Sequence, residues 1–405
     1  MWKNIDKPFV KGKRKVPIRK VQTDKLQPGM VSCNDIYCSR SGVLLLKKGT
    51  VFYPAVINYL RNMEPEAEVY IEEGLNKANA AAVLLPVGTT CHRETSDHFF
   101  FDGEEEMKGS IGQINAISPD VADEAAKEIY VQAYRTINEI YKNRKIKPYI
   151  KELNEVVDSL TEKLLDNPEM MLQIALLKKI ANYCLSHAVN VCIFAAYLGK
   201  LLGMELVSIK ELALAGIMHD IGKLDISPEI WGKKEPLTAQ EFEQIKAHSL
   251  HGFMRLSSLG NIGKDTLSGV LQHHERFDGS GYPHGLRGNE IHLWGRVIGI
   301  VDVFDAVTSE KSYRNAVSQH EGLEILLSNS IQFDPELLNL FIKNISFYPI
   351  GSRVLLNSGE TGVVTGIHRH LPFRPIVRIQ DKKKGERIVD LSAELTLFIE
   401  KILLD

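Results

Sequence analysis

The chain has few cysteines, almost no net charge and no long apolar segment. Its 405 residues include five cysteines, an odd number, and none of them forms a C-x-x-C pair. This pattern favours neither a disulfide framework nor a thiolate zinc site, and it fits a reducing compartment. The formal charge of −2 excludes overall electrostatic steering toward nucleic acid or an anionic membrane.

No part of the sequence predicts a membrane span. The longest apolar run, residues 191–199, ends at Lys200 and is much shorter than the ~20 residues needed to cross a bilayer. The N-terminus also lacks the basic-then-apolar pattern of a signal peptide. With 44% hydrophobic and 25% charged residues, the composition is that of an ordinary globular protein. We therefore expect a cytoplasmic protein.

Composition and periodicity predict a mainly α protein with small β-rich domains at both ends. Residues 1–75 are interpreted as a small N-terminal β-rich (or α+β) regulatory domain, and residues 76–118 as a linker because periodicity is lost there. Residues 119–344 predict a helical domain. Short strands and turns in residues 345–405 predict a small β-barrel-like domain.

Local signals refine two of these regions. Near the N-terminus the patterns indicate a turn at Pro28-Gly29, a hairpin over 39–46, a short helix over 54–60 and a strand over 68–71. In the helical region, Ser208 before Glu211 and Thr238 before Glu241 have the spacing of capping boxes that open helices.

The segment His219-Asp220-Ile221-Gly222-Lys223 carries the first candidate site. Apolar residues embed the preceding helix in the core, so His219 and Asp220 should emerge at a buried helix end, where Gly222 suits a left-handed cap. Metal coordination is one of few ways to keep a buried carboxylate ionised, and the two oxygens of Asp220 can bridge two cations. Lys223, one turn after His219, is a natural partner for a phosphate oxygen.

Further candidates complete a ligand set. His273 and His274 open the run His273-His274-Glu275-Arg276-Phe277-Asp278-Gly279-Ser280-Gly281-Tyr282-Pro283. His187 and His248 lie in predicted helices, with Gly252 permitting close helix packing four residues after His248. Asp302 and Asp305 lie in a segment otherwise too apolar to carry free acids. Nitrogen and carboxylate ligands without thiolates suit manganese, iron, cobalt or zinc better than calcium.

A less specific interpretation exists for each residue taken alone. An isolated histidine in a helix, such as His187 or His248, is more often a hydrogen-bonded core residue than a ligand. Five histidines and two aspartates at helix ends of one region have no comparable structural explanation. The pattern therefore predicts a metal-dependent hydrolase. The other histidines gain nothing from their spacing and are predicted to serve surface or packing roles: His92, His98, His251, His284, His292, His320, His368 and His370.

Over about residues 119–344 the chain resembles the HD-GYP family of bacterial phosphohydrolases, a branch of the HD superfamily. The resemblance rests on motifs in one order: His219 to Lys223, the His248–Gly252 spacing, the run from His273 to Pro283, Gly285-Leu286-Arg287-Gly288, Asp302 to Ser309, and Phe333-Asp334-Pro335. It implies hydrolysis of cyclic di-GMP to the linear dinucleotide, GMP or both, through a hydroxide held between metal ions.

The resemblance also implies roles for single residues. His187, His219 and Asp302 would hold one metal ion, His248, His273 and His274 the other, and Asp220 would bridge them. The implied cofactors are two divalent transition-metal ions, iron or manganese first, with cobalt, nickel or zinc as alternatives. Asp220 and Lys223 would be the catalytic residues. The residues placed at the substrate are Lys223, Gly281, Tyr282, Pro283, Asp305, Lys311 and Arg314.

Departures from the family pattern keep alternatives open. Tyr183 stands where three-metal members carry a glutamate, so two ions are expected. His292 replaces a usual proline and Lys311 a usual arginine, which leaves open another cyclic dinucleotide as substrate. A non-catalytic cyclic-dinucleotide sensor is the other rival. The partners expected are the substrate alone, with no nucleic-acid polymer and no membrane span; a homodimer or a signalling protein is left open.

Overall fold

A computed structural model describes residues 18–52, 54–63, 67–72, 104–117, 123–176, 182–231, 233, 237–309, 319–345, 348, 350–368, 371, 374–381 and 385–403. The chain divides into two compact units, residues 1–89 and residues 90–405.

The N-terminal unit is a small α+β structure. Its strands and its described α-helix are β1 (Ile18–Gln22), β2 (Ile36–Tyr37), β3 (Leu44–Leu46), α1 (Pro54–Met63) and β4 (Glu68–Glu72). Antiparallel pairing joins β1 to β4 and β2 to β3. Leu45, Phe52 and Leu60 are buried in its core. The predicted turn, hairpin, helix and last strand are confirmed.

The larger unit is helical up to Asn344. Its helices are α2 (Glu104–Asn115), α3 (Glu124–Asn143), α4 (Ile150–Asp166), α5 (Pro168–Leu176), α6 (Tyr183–Leu201), α7 (Leu206–Met218), α8 (Pro228–Trp231), α9 (Ala239–Lys246), α10 (His248–Ser257), α11 (Lys264–Gln272), α12 (Leu293–Thr308), α13 (Gln319–Ser328) and α14 (Pro335–Asn344). The predicted mainly helical fold is confirmed.

The prediction of a linker over residues 76–118 is wrong for its last part. Helix α2 lies there, with Ser110 and Ile114 fully buried. The hydroxyl of Tyr134 in α3 donates a hydrogen bond to Ser110 at 3.1 Å. Met107, Ile111 and Ile114 have helical spacing, but two glycines and the acidic start of the segment obscured this pattern. The remaining residues of the predicted linker, 76–103 and 118, lie outside the described residues.

Helix α6 is the central helix of this unit. It packs against α3, α4, α5, α7, α12 and α14, and its residues are apolar on almost every side. By length and composition it is the one described helix that could cross a membrane, but 83% of the relevant window is buried within the protein. Such burial is what a core helix of a folded domain shows.

The structure confirms one predicted capping box and rejects the other. Thr238 and Glu241 form reciprocal side-chain to backbone hydrogen bonds at the start of α9. The prediction for Ser208 is wrong, because α7 already begins at Leu206 with Glu205 as its N-cap. Ser208 is therefore the third residue of the helix and lies past the N-cap position.

Gly222 does not form a left-handed cap, so that prediction is also wrong. After α7 the chain continues into a short 3-10 helix, Ile221–Asp225, and Gly222 lies within it without a positive φ. A Cβ atom at Gly222 would lie 1.9 Å from the carbonyl oxygen of His248 and 2.3 Å from the nitrogen of Gly252. Glycine is required there because α10 contacts this backbone directly.

A strand-rich domain follows the helices, as predicted. Its strands are β5 (Arg353–Leu356), β6 (Thr361–Gly366), β7 (Ile376–Asp381), β8 (Gly385–Asp390) and β9 (Ile399–Leu403). They form one antiparallel sheet in the order β8-β7-β6-β5-β9. Val354, Leu356, Val364, Val377 and Ile379 are fully buried on one face of this sheet.

Candidate metal centre

The helices bring all seven predicted ligands together. His187 comes from α6, His219 and Asp220 follow α7, His248 begins α10, His273 and His274 follow α11, and Asp302 lies in α12. All are buried, with at most 8% of their surface exposed. They form two groups, and within each group the candidate ligand atoms lie within 4.8 Å of one another. The first group is His187, His219 and Asp302, and the second is Asp220, His248, His273 and His274.

Backbone carbonyl groups fix the tautomer of three histidines. The Nδ1 atoms of His219, His248 and His273 each lie 2.7 Å from the carbonyl oxygen three residues earlier, in Gly216, Ile245 and Val270 respectively. A carbonyl oxygen can only accept, so each Nδ1 carries a proton. In the neutral ring, Nε2 then presents a lone pair toward the centre, which is the form that binds a metal ion.

His187 is oriented by two carboxylates. Its Nδ1 donates to Asp305 Oδ2 at 2.7 Å, and its Nε2 lies 3.1 Å from Asp302 Oδ1. Although burial lowers the pKa of His187, its hydrogen bonds to Asp302 and Asp305 raise the pKa to about 9. His187 Nε2 thus faces Asp302, at the place where a cation would bind.

The second group brings three imidazole nitrogens close together, in an arrangement that could hold a cation. His248 Nε2 lies 3.2 Å from His273 Nε2 and 3.1 Å from His274 Nε2. Burial, with the neighbouring histidines, holds the pKa values of His273 and His274 well below 6.5, so both rings are neutral. His248 and His273 both carry a proton on Nδ1, so it is their Nε2 atoms that face each other across 3.2 Å. These are the nitrogens that would coordinate a metal ion bound there.

Asp220 faces both groups. Its Oδ2 lies 3.3 Å from His219 Nε2 and its Oδ1 lies 3.4 Å from His248 Nε2. His219 Nε2 and Asp220 Oδ1 are buried and have no hydrogen-bond partner among the described residues. Although burial raises it, the charges of His219 and Lys223 hold the pKa of Asp220 well below its usual value. This donor set fits two cations with Asp220 between them.

Lys223 and Tyr282 lie at the edge of the centre. Lys223 Nζ is 2.7 Å from Asp220 Oδ2, and its side chain is 10% exposed. The ring of Tyr282 stacks on His274 with centroids 4.7 Å apart. A Cβ atom at Gly281 would lie 2.3 Å from the backbone nitrogen of Arg276, so only glycine lets this loop fold back over the His274 segment.

Glu275 holds this loop in place, a role that the sequence did not indicate. Its buried carboxylate accepts backbone hydrogen bonds from His284 at 2.7 Å and from Leu286 at 2.9 Å, and Gly285 also donates to it. Burial raises the pKa of Glu275 to about 7, whereas the backbone donors favour the ionised form. The carboxylate thus fixes the segment that follows Pro283.

Glu275→Gln is expected to lower the free energy of unfolding by about 1–3 kcal/mol, because a glutamine nitrogen would face buried backbone N–H donors. Urea unfolding at pH 8, where the native carboxylate is mostly ionised, measures this loss. Glu162→Gln is the control, since Glu162 is 63% exposed and pairs with Lys210 at the surface. A Glu275→Gln protein as stable as this control would show that the carboxylate does not anchor the loop.

The structure does not place every predicted residue in the centre. Asp305 was predicted to contact substrate, and this is wrong, because it is fully buried and binds His187 and Asn190. The sequence around Asp305 does not show which side chains its carboxylate will contact in the folded protein. Lys311 and Arg314 lie outside the described residues. Tyr183 stacks on His187 with ring centroids 5.1 Å apart.

A helical domain with two groups of buried histidine and aspartate side chains is the arrangement of a metal-dependent phosphohydrolase fold. Comparisons with protein families agree. Residues 161–337 match the family described as "HD domain". Residues 353–404 match the family described as "KOW domain associated with HD domain". Residues 161–337 are thus similar to HD domains, which agrees with the resemblance to the HD-GYP family drawn from the motifs. A divalent-metal site is part of that fold.

Three curated relatives are similar to the chain. Cyclic di-GMP phosphodiesterase PA4108 of Pseudomonas aeruginosa is 32% identical over 56% of this chain and 55% of its own length. Cyclic di-GMP phosphodiesterase PdeB of Borreliella burgdorferi is 30% identical over 49% of this chain and 53% of its own. 3'3'-cGAMP-specific phosphodiesterase 1 of Vibrio cholerae is 33% identical over 42% and 39%. The chain thus spans about half the length of the first two.

Proposed function

We propose that this protein is a metal-dependent phosphodiesterase that hydrolyses cyclic di-GMP to the linear dinucleotide, GMP or both. One observation carries the proposal: seven buried ligands form two adjacent groups, and the two oxygens of Asp220 face one histidine from each group. Two relatives named cyclic di-GMP phosphodiesterases support the choice of substrate.

The proposed centre holds two divalent ions, iron or manganese first. His187, His219 and Asp302 would hold one, His248, His273 and His274 the other, and Asp220 both. When bound, such a pair supplies an activated water and neutralises charge on a phosphate. Two ions are proposed because Tyr183, stacked on His187, puts an aromatic ring where a third ion would need a carboxylate.

The protein's own residues would orient the substrate. Lys223 lies beside Asp220 and carries a positive charge that can stabilise charge developing on the phosphate oxygens. Tyr282, stacked on His274, presents a ring next to the second group and can exclude water from one side of the substrate. Glu275 keeps the loop after Pro283 in the conformation that places this ring.

The proposal is tested by incubating the metal-loaded full chain separately with cyclic di-GMP and 3'3'-cGAMP and separating the products by chromatography. We expect cyclic di-GMP to be opened. Faster cleavage of the mixed dinucleotide would favour the second candidate, which rests on the similarity to the Vibrio cholerae enzyme. Binding of cyclic di-GMP without any product, at full metal content, would instead favour a non-catalytic sensor.

Lys223→Ala is expected to keep its metal ions and to lose about 100-fold or more in kcat/KM, because it removes a stabiliser of developing charge. Metal content and turnover measured on one preparation test this. Lys233→Ala is the matched control, a lysine that pairs with Glu241 at 2.8 Å outside the centre. If Lys223→Ala turned over as fast as the control, Lys223 would be only a partly buried lysine near a helix end, worth under about 1 kcal/mol.

A further inference from the structure

A chain of buried hydrogen bonds leads from α3 to a ligand of the metal centre. The Tyr130 hydroxyl donates to Asn190 Oδ1 at 2.8 Å, and Asn190 Nδ2 donates to Asp305 Oδ1 at 3.0 Å. Asp305 Oδ2 accepts from His187 Nδ1 at 2.7 Å. Helices α3, α6 and α12 are thereby connected by a chain of four side chains, the last of which is the candidate ligand His187.

Each of these side chains is buried too deeply for water to replace a missing partner. Tyr130 and Asp305 are fully buried, Asn190 is 3% exposed and His187 is 4% exposed. Burial, and then the charge of Asp305, raise the pKa of Tyr130 well above 10, so the phenol keeps its proton and donates. A partner removed from this chain would leave an unsatisfied buried group.

Tyr130 determines which end of the Asn190 amide faces Asp305. The two ends of an asparagine amide have nearly the same shape, but one donates and the other accepts. Because Tyr130 donates to Oδ1, the amide nitrogen is directed toward the Asp305 carboxylate. With the amide reversed, its oxygen would meet that carboxylate, and Asp305 would lose a donor that helps to hold it against His187.

We propose that Tyr130 is a positioning residue of the metal centre, acting through Asn190 and Asp305 to orient His187. The inference deepens the proposed function and rests on its metal centre. Tyr130 lies outside residues 161–337, the part of the chain that matches the HD domain. Helix α3 therefore belongs to the working unit of the centre, although the family match begins after it.

The test compares two tyrosines of one helix. Tyr134 is also fully buried in α3, and its hydroxyl donates a hydrogen bond to Ser110 in α2. We expect Tyr130→Phe to bind one of two manganese(II) ions about 10-fold more weakly, as is typical when support of a metal ligand is lost. Tyr134→Phe should bind both ions like the wild-type protein. Chelator competition on metal-stripped full chains measures each affinity, and thermal melting of the stripped proteins measures stability.

The comparison separates positioning from stability. Both variants lose a buried hydroxyl, so both should melt at lower temperature than the wild-type chain, whereas only Tyr130→Phe should weaken metal binding. Asn190→Leu removes the same connection nearer to His187 and should weaken one ion at least as much. Equal manganese affinities in Tyr130→Phe and Tyr134→Phe would overturn the inference. If the affinity difference is present but the wild-type chain cleaves no cyclic dinucleotide, the inference stands and the proposed function fails.

Discussion

Asp220→Ala is expected to lose most of its bound metal and essentially all phosphodiesterase turnover while keeping its helical fold. The substitution removes a side chain whose two oxygens face both ligand groups, at 3.3 Å from His219 and 3.4 Å from His248. Both proposed ions would lose a ligand together, and Lys223 would lose its 2.7 Å partner. Elemental analysis, turnover and circular dichroism on one preparation measure the three effects.

Asp225→Ala is the matched control for this variant. Asp225 is the last residue of the 3-10 helix that follows Asp220, and both of its oxygens accept from Arg255, but its side chain is 37% exposed and lies outside both ligand groups. Loss of such a surface pair should change stability by about 0–1 kcal/mol and leave metal content and turnover unchanged. An Asp220→Ala protein that hydrolysed substrate at a near-normal rate would show that another residue connects the two ions.

Gly222→Ala is expected to disrupt the centre without changing a ligand. The added Cβ would lie 1.9 Å from the His248 carbonyl oxygen and 2.3 Å from the Gly252 nitrogen, both backbone atoms that cannot rotate away. Helix α10 must therefore move, and it carries His248 away from His273 and His274. We expect the free energy of unfolding to fall by about 1–3 kcal/mol or more. The variant should also lose the ion proposed for the second group.

Gly112→Ala is the control for an added methyl group. Gly112 lies in α2, where a Cβ would meet nothing within 4 Å. Alanine there should be neutral or should stabilise the protein by about 0.5–1 kcal/mol, because it favours the helix. Thermal melting and metal content compare the two variants. A Gly222→Ala protein with wild-type stability and two bound ions would contradict this expectation, because it would show that α10 can move without disturbing the centre.

The sequence singled out the candidate metal ligands because their chemistry is unusual as a set. Buried carboxylates such as Asp220 and Asp302 are costly unless paired, and adjacent histidines have little structural purpose, so clustering in one helical region was informative. The structure brings all of these residues together in the two groups that the family resemblance implied. The helical fold and the C-terminal strands followed from periodicity in the same way.

The supporting residues could not be predicted, because their roles depend on distant parts of the chain. Asp305 meets His187, which lies 118 residues earlier, and Glu275 binds backbone groups that a linear pattern does not reveal. Gly222 was predicted to be a helix cap, but glycine is required there because the backbone of α10 passes directly over it. Each of these residues makes a tertiary contact whose partner is set by packing and not by local spacing.

The most direct test of the proposed function is metal content and product formation measured together on the wild-type full chain, purified without chelator. We expect close to two transition-metal ions per chain and conversion of cyclic di-GMP to the linear dinucleotide or GMP. Metal content and product formation should both be lost when the metal is stripped, and both should return when the metal is added back. A chain that retains two ions but leaves cyclic di-GMP intact, or one that cleaves it equally well after stripping, would contradict the proposed function.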